Sequence, residues 1–452
     1  MLLVGSRPAR LAQQAGNRPV KQQHCAECSR RGKALMCRLL NILRWAIPCL
    51  LYPLCVAPAS ATQGQPDLIE VVVVGDAGFN GAAARVSAEG GYKHGQLLDV
   101  RGAISGIRHE LEADISLANL ETVVTANNSL GASSKRFSFR THPNAIRGFL
   151  DAGLNAFSLA NNHALDYRQA GAADTLRHLK DMQSEGLLAF PGLGTSIQKA
   201  AAPHNVDVGQ TSIALSSIGI GGLGASMSSG KVGMLKYPAD LDRVTTALGN
   251  TDADLKILSV HYGREFEPEP PMTTRVRFRE MVSQEGFTLV AGHHKHVANG
   301  VEIVDTASGA NGLIFYGLGN FLHLGMQNMG RQDLCHDFGL LGRVVFSRDI
   351  DGSVSIVSVR IVPLTDMHIA TKPLPPEKAV TRIHVINHLS NQLTDQKAGA
   401  QGLSFTPQPD GSGLWCNPEH SRGSCMSTPY AAPAPGSLSS QISQACKRVL
   451  VR

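Results

Sequence analysis

The chain lacks most of the short motifs by which a sequence declares its chemistry. There is no G-x-S-x-G elbow and no glycine-rich dinucleotide fingerprint after a strand, so serine hydrolase and dehydrogenase chemistries have no support. The Gly/Ser-rich stretches at 221–224 and 226–230 lack the spacing of a phosphate loop and its trailing Lys-[Ser/Thr]. They read as a flexible loop able to serve as a lid. No internal repeat is evident. The apolar stretch 45–56 is too short, and too broken by Pro48 and Pro53, to span a bilayer well. Cys25-x-x-Cys28 has no partner pair and does not make a zinc site.

A basic surface is missing too. The 452-residue chain has a formal charge of +6. Nine Lys/Arg against the single acid Glu27 place +8 within residues 1–61, which leaves about −2 for residues 62–452. That balance excludes nucleic acid as an expected partner.

What is present begins with a leader. Arg38 and Arg44 form a basic n-region, 45–56 an apolar h-region, and Ala59-Ser60-Ala61 a small-residue cleavage site. This predicts a signal peptide within 1–61, with Met36 as the true start and cleavage after Ala61. The other reading is an uncleaved membrane anchor. Export to the periplasm or cell envelope follows from the first. Of nine cysteines, Cys335, Cys416, Cys425 and Cys446 lie beyond the leader. Four allow three pairings, which sequence does not decide; Cys416–Cys425 closes the shortest loop.

Hydrophobic residues make up 43% of the chain, enough for a substantial core. Apolar runs at 68–74, 115–118, 156–159, 255–260, 288–291 and 313–316 alternate with helical patterns such as 171–185 and 272–284. Continuous apolar strands separated by helices indicate sheets covered on both faces. Alternating runs at 339–346 and 353–362, around Asp351-Gly352, predict a β-hairpin. A helix over 377–392 follows. Residues 62–395 form the expected α/β domain, and 396–452, rich in Gly, Ser, Pro and Ala, the expected loosely ordered tail.

Each of the six apolar runs ends in polar or metal-binding residues. In open α/β sheets, ligands bind beyond the carboxyl ends of strands, so these clusters are expected to meet at one sheet edge. Asp76, after four valines, is a metal ligand or a helix N-cap. Asn119 and Glu121 offer oxygen ligands, or Glu121 caps a turn. Asn161-Asn162-His163 carries Asp166 three residues on, placed to orient the imidazole. His261 and Gly263 follow a strand, with Glu265 a base or a surface charge. His293-His294-Lys295-His296 puts three imidazoles at one strand end. Asn320 positions substrate or makes a turn. Imidazoles, carboxylates and an amide together suit one or two divalent ions such as Mn, Fe or Zn, which clamp a phosphoryl group and activate water.

At these clusters the chain resembles the CapA family of poly-γ-glutamate capsule synthesis. The carriers are Val74-Gly75-Asp76, Asn119-Leu120-Glu121-Thr122, Ala160-Asn161-Asn162-His163-Ala164-Leu165-Asp166, His261-Tyr262-Gly263-Arg264-Glu265, Gly292-His293-His294-Lys295-His296 and Gly317-Leu318-Gly319-Asn320-Phe321. The resemblance implies a calcineurin-like metallophosphoesterase fold, a four-layer αββα sandwich of two sheets between helices. By motif it places Asp76, Asn162, His163, His261 and His294/His296 in ligand-type positions; Asn119, Glu121 and His293 join the expected ligands from their own places at the strand ends. Catalytic roles then fall to His163, Asp166, His261 and Glu265, and substrate contacts to Asn320 and Lys295. The first motif departs from the fold's pattern: no Asp-x-His follows the strand, which puts the second metal in doubt. Lys295 stands where the family usually has Pro, and would contact an anionic substrate or repel a metal. The expected function is a metal-dependent hydrolase or transferase acting on an anionic polymer or phosphoester, with membrane-embedded synthase subunits as partners. The alternative is a non-catalytic scaffold of such a complex.

Overall fold

The structure, a computed structural model, describes residues 67–79, 86–88, 90–93, 96–221, 231–420, 425, 437–448 and 450. The expected leader, with Met36 and the cleavage site at Ala61, lies outside the described residues, as do positions 222–230 of the Gly/Ser-rich loop. No helix among the described residues is long and apolar enough to cross a membrane.

In chain order the principal strands are β1 (Asp67–Gly78), β2 (Ile115–Leu120), β3 (Ala156–Ser158), β4 (His204–Val208), β5 (Thr211–Gly219), β6 (Leu255–His261), β7 (Leu289–His293), β8 (Val301–Asp305), β9 (Asn311–Phe315), β10 (Asn320–His323), β11 (Gly339–Arg348), β12 (Val354–Thr365), β13 (Ala400–Gly402), β14 (Thr406–Pro407) and β15 (Gly413–Cys416). The helices that cover them are α1 (Pro143–Asp151), α2 (Arg168–Met182), α3 (Leu241–Gly249), α4 (Met272–Ser283), α5 (Pro376–Asn391) and α6 (Leu438–Cys446). One sheet runs β14-β15-β12-β11-β1-β2-β3, with β10 also beside β1; the other runs β13-β8-β9-β7-β6-β5-β4.

The alternation along β1 shows why its valines are continuous. Ile69, Val71 and Val73 face Ile213, Leu215, Ile257, Leu289 and Phe315 of the second sheet. Val72 and Val74 turn the other way, onto Ile146 and Phe149 of α1 and Leu179 of α2. The second sheet does the same: Leu258, Val260 and Val290 pack on α3 and α4 through Val244, Leu248, Phe278 and Met281. Both faces of each strand are dry, so neither face needs polar residues. The result is four layers, helix on sheet on sheet on helix. The pairs β1–β2, β2–β3, β5–β6, β6–β7 and β7–β9 are parallel, so their carboxyl ends share an edge.

The hairpin forms as expected, with Gly352 in the left-handed region at φ 85°. The tail does not stay loose in its described part. β13 pairs with β8, β15 pairs with β12, and α6 adds Leu438 and Ile442 to the core between the sheets. Short strands among glycines and prolines carry too little hydrophobic pattern to announce themselves; they form because neighbouring sheet edges offer backbone partners. Cys335–Cys446 and Cys416–Cys425 are bonded, spanning 111 and 9 residues.

Closing the longer loop removes more conformational entropy from the unfolded chain, about 5 kcal/mol against about 3 kcal/mol. Replacing Cys335 and Cys446 by serine is therefore expected to lower the unfolding free energy more than replacing Cys416 and Cys425. Urea unfolding of the two double variants measures this; equal losses would contradict it.

Candidate metal centre

Asp76 stands where β1 departs from regular pairing. The register shifts between Val74 and Asp76 against β2, and between Asp76 and Gly78 against β10. Gly75 permits the bend, since a Cβ there would lie 2.1 Å from the Gly319 carbonyl oxygen. The Asp76 carboxylate is fully occupied by protein groups. Asn119 Nδ2 donates to Oδ1 at 2.8 Å and the His294 amide to Oδ2 at 3.1 Å. His293 Nδ1 and His296 Nδ1 stand at 3.4 and 3.3 Å. Burial alone would raise its pKa, but the His293 and His296 imidazoles beside it hold it well below the usual carboxylate range.

Asn119 is an organiser rather than an open oxygen ligand. Its Oδ1 accepts from Ser158 and Asn161, and its amide nitrogen bridges Asp76 to His261 Nδ1 at 3.0 Å. His261 Nε2 meets Asn162 Oδ1 at 2.7 Å. Burial, then the charge of His294, lowers the His261 pKa well below the ordinary imidazole value, which favours the neutral, ligating form.

Glu121, just past β2, is fully buried. It belongs to two groups whose ligand atoms lie within 4.8 Å of one another: Glu121, His261 and His294, and Glu121, His296 and His323. Its Oε1 has no hydrogen-bond partner, nor has either ring nitrogen of buried His293. Burial and the neighbouring Asp76 charge push the Glu121 pKa well above normal. An unsatisfied buried carboxylate oxygen costs about 1–3 kcal/mol or more; a divalent cation would satisfy it. Imidazoles around a shared carboxylate are the donor set of such an ion. The residues present therefore fit a divalent metal.

The His-rich turn divides its side chains. His294 and His296 adopt left-handed backbone, φ 83° and 57°, a conformation of non-glycine residues that collects at functional sites. Both reach the metal-binding groups. Lys295 between them turns away, fully buried, its Nζ donating to Asn299 at 2.6 Å. Burial lowers its pKa to about 7. The expected substrate contact through Lys295 is thus not where the structure places it. Asn320 Oδ1 engages His296 Nδ1 at 2.9 Å, orienting a ring. Burial would lower the His296 pKa, yet Glu121 and Asp76 raise it to about 9.

His163 and Asp166 pair through Nδ1 and Oδ2 at 2.7 Å, leaving Nε2 3.7 Å from Glu121. Glu265 is half-buried, and its charge acts on Glu121 and His296.

Three participants escaped sequence reasoning. His323 follows Asn320 by three residues, which in a regular strand points it to the opposite face. The β1–β10 irregularity brings it round, and Gly78 makes room: a Cβ there would meet its ring at 2.4 Å. Lys135 contacts Asp166 and reaches His163 Nδ1 at 3.2 Å from an irregular loop. Phe139 packs its ring 4.2 Å from His163 and 5.1 Å from His323. No pattern in the sequence marks Lys135 or Phe139.

The family model for bacterial capsule synthesis protein PGA_cap matches residues 70–324. The PGA biosynthesis protein CapA of Bacillus subtilis is 25% identical over 210 residues, 46% of this chain and 53% of that protein. The capsule biosynthesis protein CapA of Bacillus anthracis is 27% identical over 186 residues, 39% of this chain and 42% of that protein. The chain thus spans about half the length of these curated relatives. The calcineurin-like phosphoesterase YfkN from Bacillus subtilis superposes with a TM-score of 0.34 at 13% identity, covering 73% of this chain and 98% of that one.

The dyad makes a pH prediction in metal-free protein. Burial lowers the His163 pKa, Asp166 opposes that fall and Lys135 adds to it. Asp166→Asn is expected to lower the pKa further and Lys135→Met to raise it, read by histidine NMR titration. Shifts of the opposite sign would contradict the geometry.

Proposed function

This chain belongs to the bacterial capsule synthesis protein family PGA_cap, and on that premise we propose that it is an exported, metal-dependent hydrolase or transferase in the making or release of poly-γ-glutamate. The single observation that carries the reading is Glu121 shared between two buried histidine pairs, with the His163–Asp166 dyad beside them. The CapA relatives, named for PGA and capsule biosynthesis, support the polymer. Two disulfides support export, since such bonds persist in oxidising compartments.

Glu121, His261 and His294 would hold one ion, and Glu121, His296 and His323 a second. When bound, such ions act as Lewis acids and lower the pKa of water. The protein does the rest. Asp76 and Asn119 fix the ligating rings from behind. Asp166 accepts from His163 Nδ1, which leaves Nε2 of the neutral ring facing the reacting atoms as the nitrogen that accepts a proton. Asn162 and Asn320 orient the substrate side of the pocket through His261 and His296. All five ligands are buried, which excludes bulk water and strengthens each electrostatic contact.

With Mn²⁺ supplied, the purified protein is expected to turn over a generic phosphodiester or cleave oligo-γ-glutamate. His163→Ala should reduce the rate by about 10²–10⁴-fold while metal content persists. Loss of metal in Glu121→Ala, with one equivalent lost in His323→Ala, is the companion result by elemental analysis. Function surviving both His163→Ala and His294→Ala, with synthase subunits still co-purifying, would replace catalysis by a scaffold role.

A further inference from the structure

Two imidazoles bracket the Glu121 carboxylate, one near each oxygen. His323 Nε2 lies 3.2 Å from Oε2, and His163 Nε2 lies 3.7 Å from Oε1. The first belongs to a metal-binding group and the second to the dyad with Asp166. They come from distant parts of the chain, yet a single side chain touches both. The Phe139 ring stands 4.2 Å from the His163 ring, tilted by 38°, and 5.1 Å from the His323 ring, edge-on at 83°. Tilted and edge-on ring pairs attract one another, so the contact holds each imidazole in orientation as well as in place.

Phe139 is itself held from several sides. Its amide donates to Asp166 Oδ2 at 2.5 Å, the oxygen that also pairs with His163 Nδ1. Its carbonyl accepts from the Val123 amide at 3.2 Å, two residues past Glu121. There the chain enters the short parallel pair of Val123–Val124 with Arg140–Thr141. Against the ring lies Gly325, two residues past His323; a Cβ there would come within 2.4 Å of Phe139 Cε1. Phe139 is thus bonded to, or packed on, the segment after Glu121, the segment carrying Asp166 and the segment leaving His323. A buried ring with two torsions, enclosed in this way, has one place to be, and the imidazoles packed on it share that constraint.

We propose that Phe139 is a positioning residue of the metal centre, whose ring sets the distance between the His163–Asp166 dyad and the His296–His323 metal group across Glu121. The role rests on the metal-dependent reading for its purpose, but on the packing for its existence. His261 and His294 are fixed by other groups: His261 by Asn119 and Asn162, and the His294 backbone by Asp76. Loss of the Phe139 ring should therefore spare the first metal group and disturb the second.

The test compares Phe139→Leu, which removes the ring but stays apolar, with Gly325→Ala, which keeps Phe139 and pushes its ring aside. In metal-free protein, histidine NMR reads the contact directly. The His163 and His323 ring-proton signals, displaced in the parent protein by the Phe139 ring current, are expected to move in both variants, while those of His261 and His294 hold. After loading with Mn²⁺, elemental analysis should show loss of the equivalent that His323 helps to hold. Turnover should fall by about 10–100-fold in kcat, with KM little changed, as for an interaction felt in the transition state alone. A purely structural role would lower thermal stability and leave metal content and kcat of the folded protein as they were; that result, or unmoved His163 and His323 signals, would overturn the proposal. If the parent protein itself takes up no metal, moved His163 and His323 signals in both variants uphold Phe139 as the brace and remove the metal-dependent reading instead.

Discussion

The site depends on one arrangement: a carboxylate, Glu121, buried among imidazoles and left with an unpartnered oxygen. A lone charge in such a place is expensive, because nothing in a dry interior replaces its water. Asp76 close by makes the position worse for both carboxylates. The protein hydrogen-bonds Asp76 through Asn119 and the His294 amide, whereas Glu121 Oε1 accepts no hydrogen bond and has only the His261 and His163 rings near it, at 3.5 and 3.7 Å. That asymmetry separates an organising carboxylate from one available to a cation.

Holding so many polar groups together requires backbones to approach closely. Two sheets end at the same edge, and their last residues must bend inward without side chains in the way. Gly75 and Gly78 clear the first sheet, and Gly219, where a Cβ would lie 2.1 Å from the Ala160 carbonyl, clears the second. The left-handed residues His294 and His296 complete the turn. Packing supplies the force that keeps them there: Val71 and Val73 on one face of β1, and Val72 and Val74 on the other, anchor the strand that delivers Asp76.

Much of this was legible in the sequence, for a physical reason. Strands buried on both faces write themselves as unbroken apolar runs, so β1, β2, β6 and β7 could be found and their polar ends grouped. Those runs and the helices between them indicated sheets covered on both faces, while the four-layer arrangement was expected from the family resemblance. What was illegible depends on irregular geometry or on long-range contact. His323 needed a register shift, Lys135 a loop conformation, and the Cys335–Cys446 pairing a contact across 111 residues. The direction of a side chain was hidden as well: Lys295 sits amid His293, His294 and His296 in sequence yet donates to Asn299. The tail misled because a strand recruited by a neighbouring edge needs little hydrophobic pattern of its own.

The central claim is that Glu121, rather than Asp76, is the carboxylate shared by two metal ions. Anomalous diffraction at the manganese edge, on crystals grown with Mn²⁺, tests it directly. Two peaks beside the Glu121 carboxylate are expected, one near His261 and His294 and the other near His296 and His323. A peak coordinated by Asp76 and His293, with none in contact with Glu121, would contradict it.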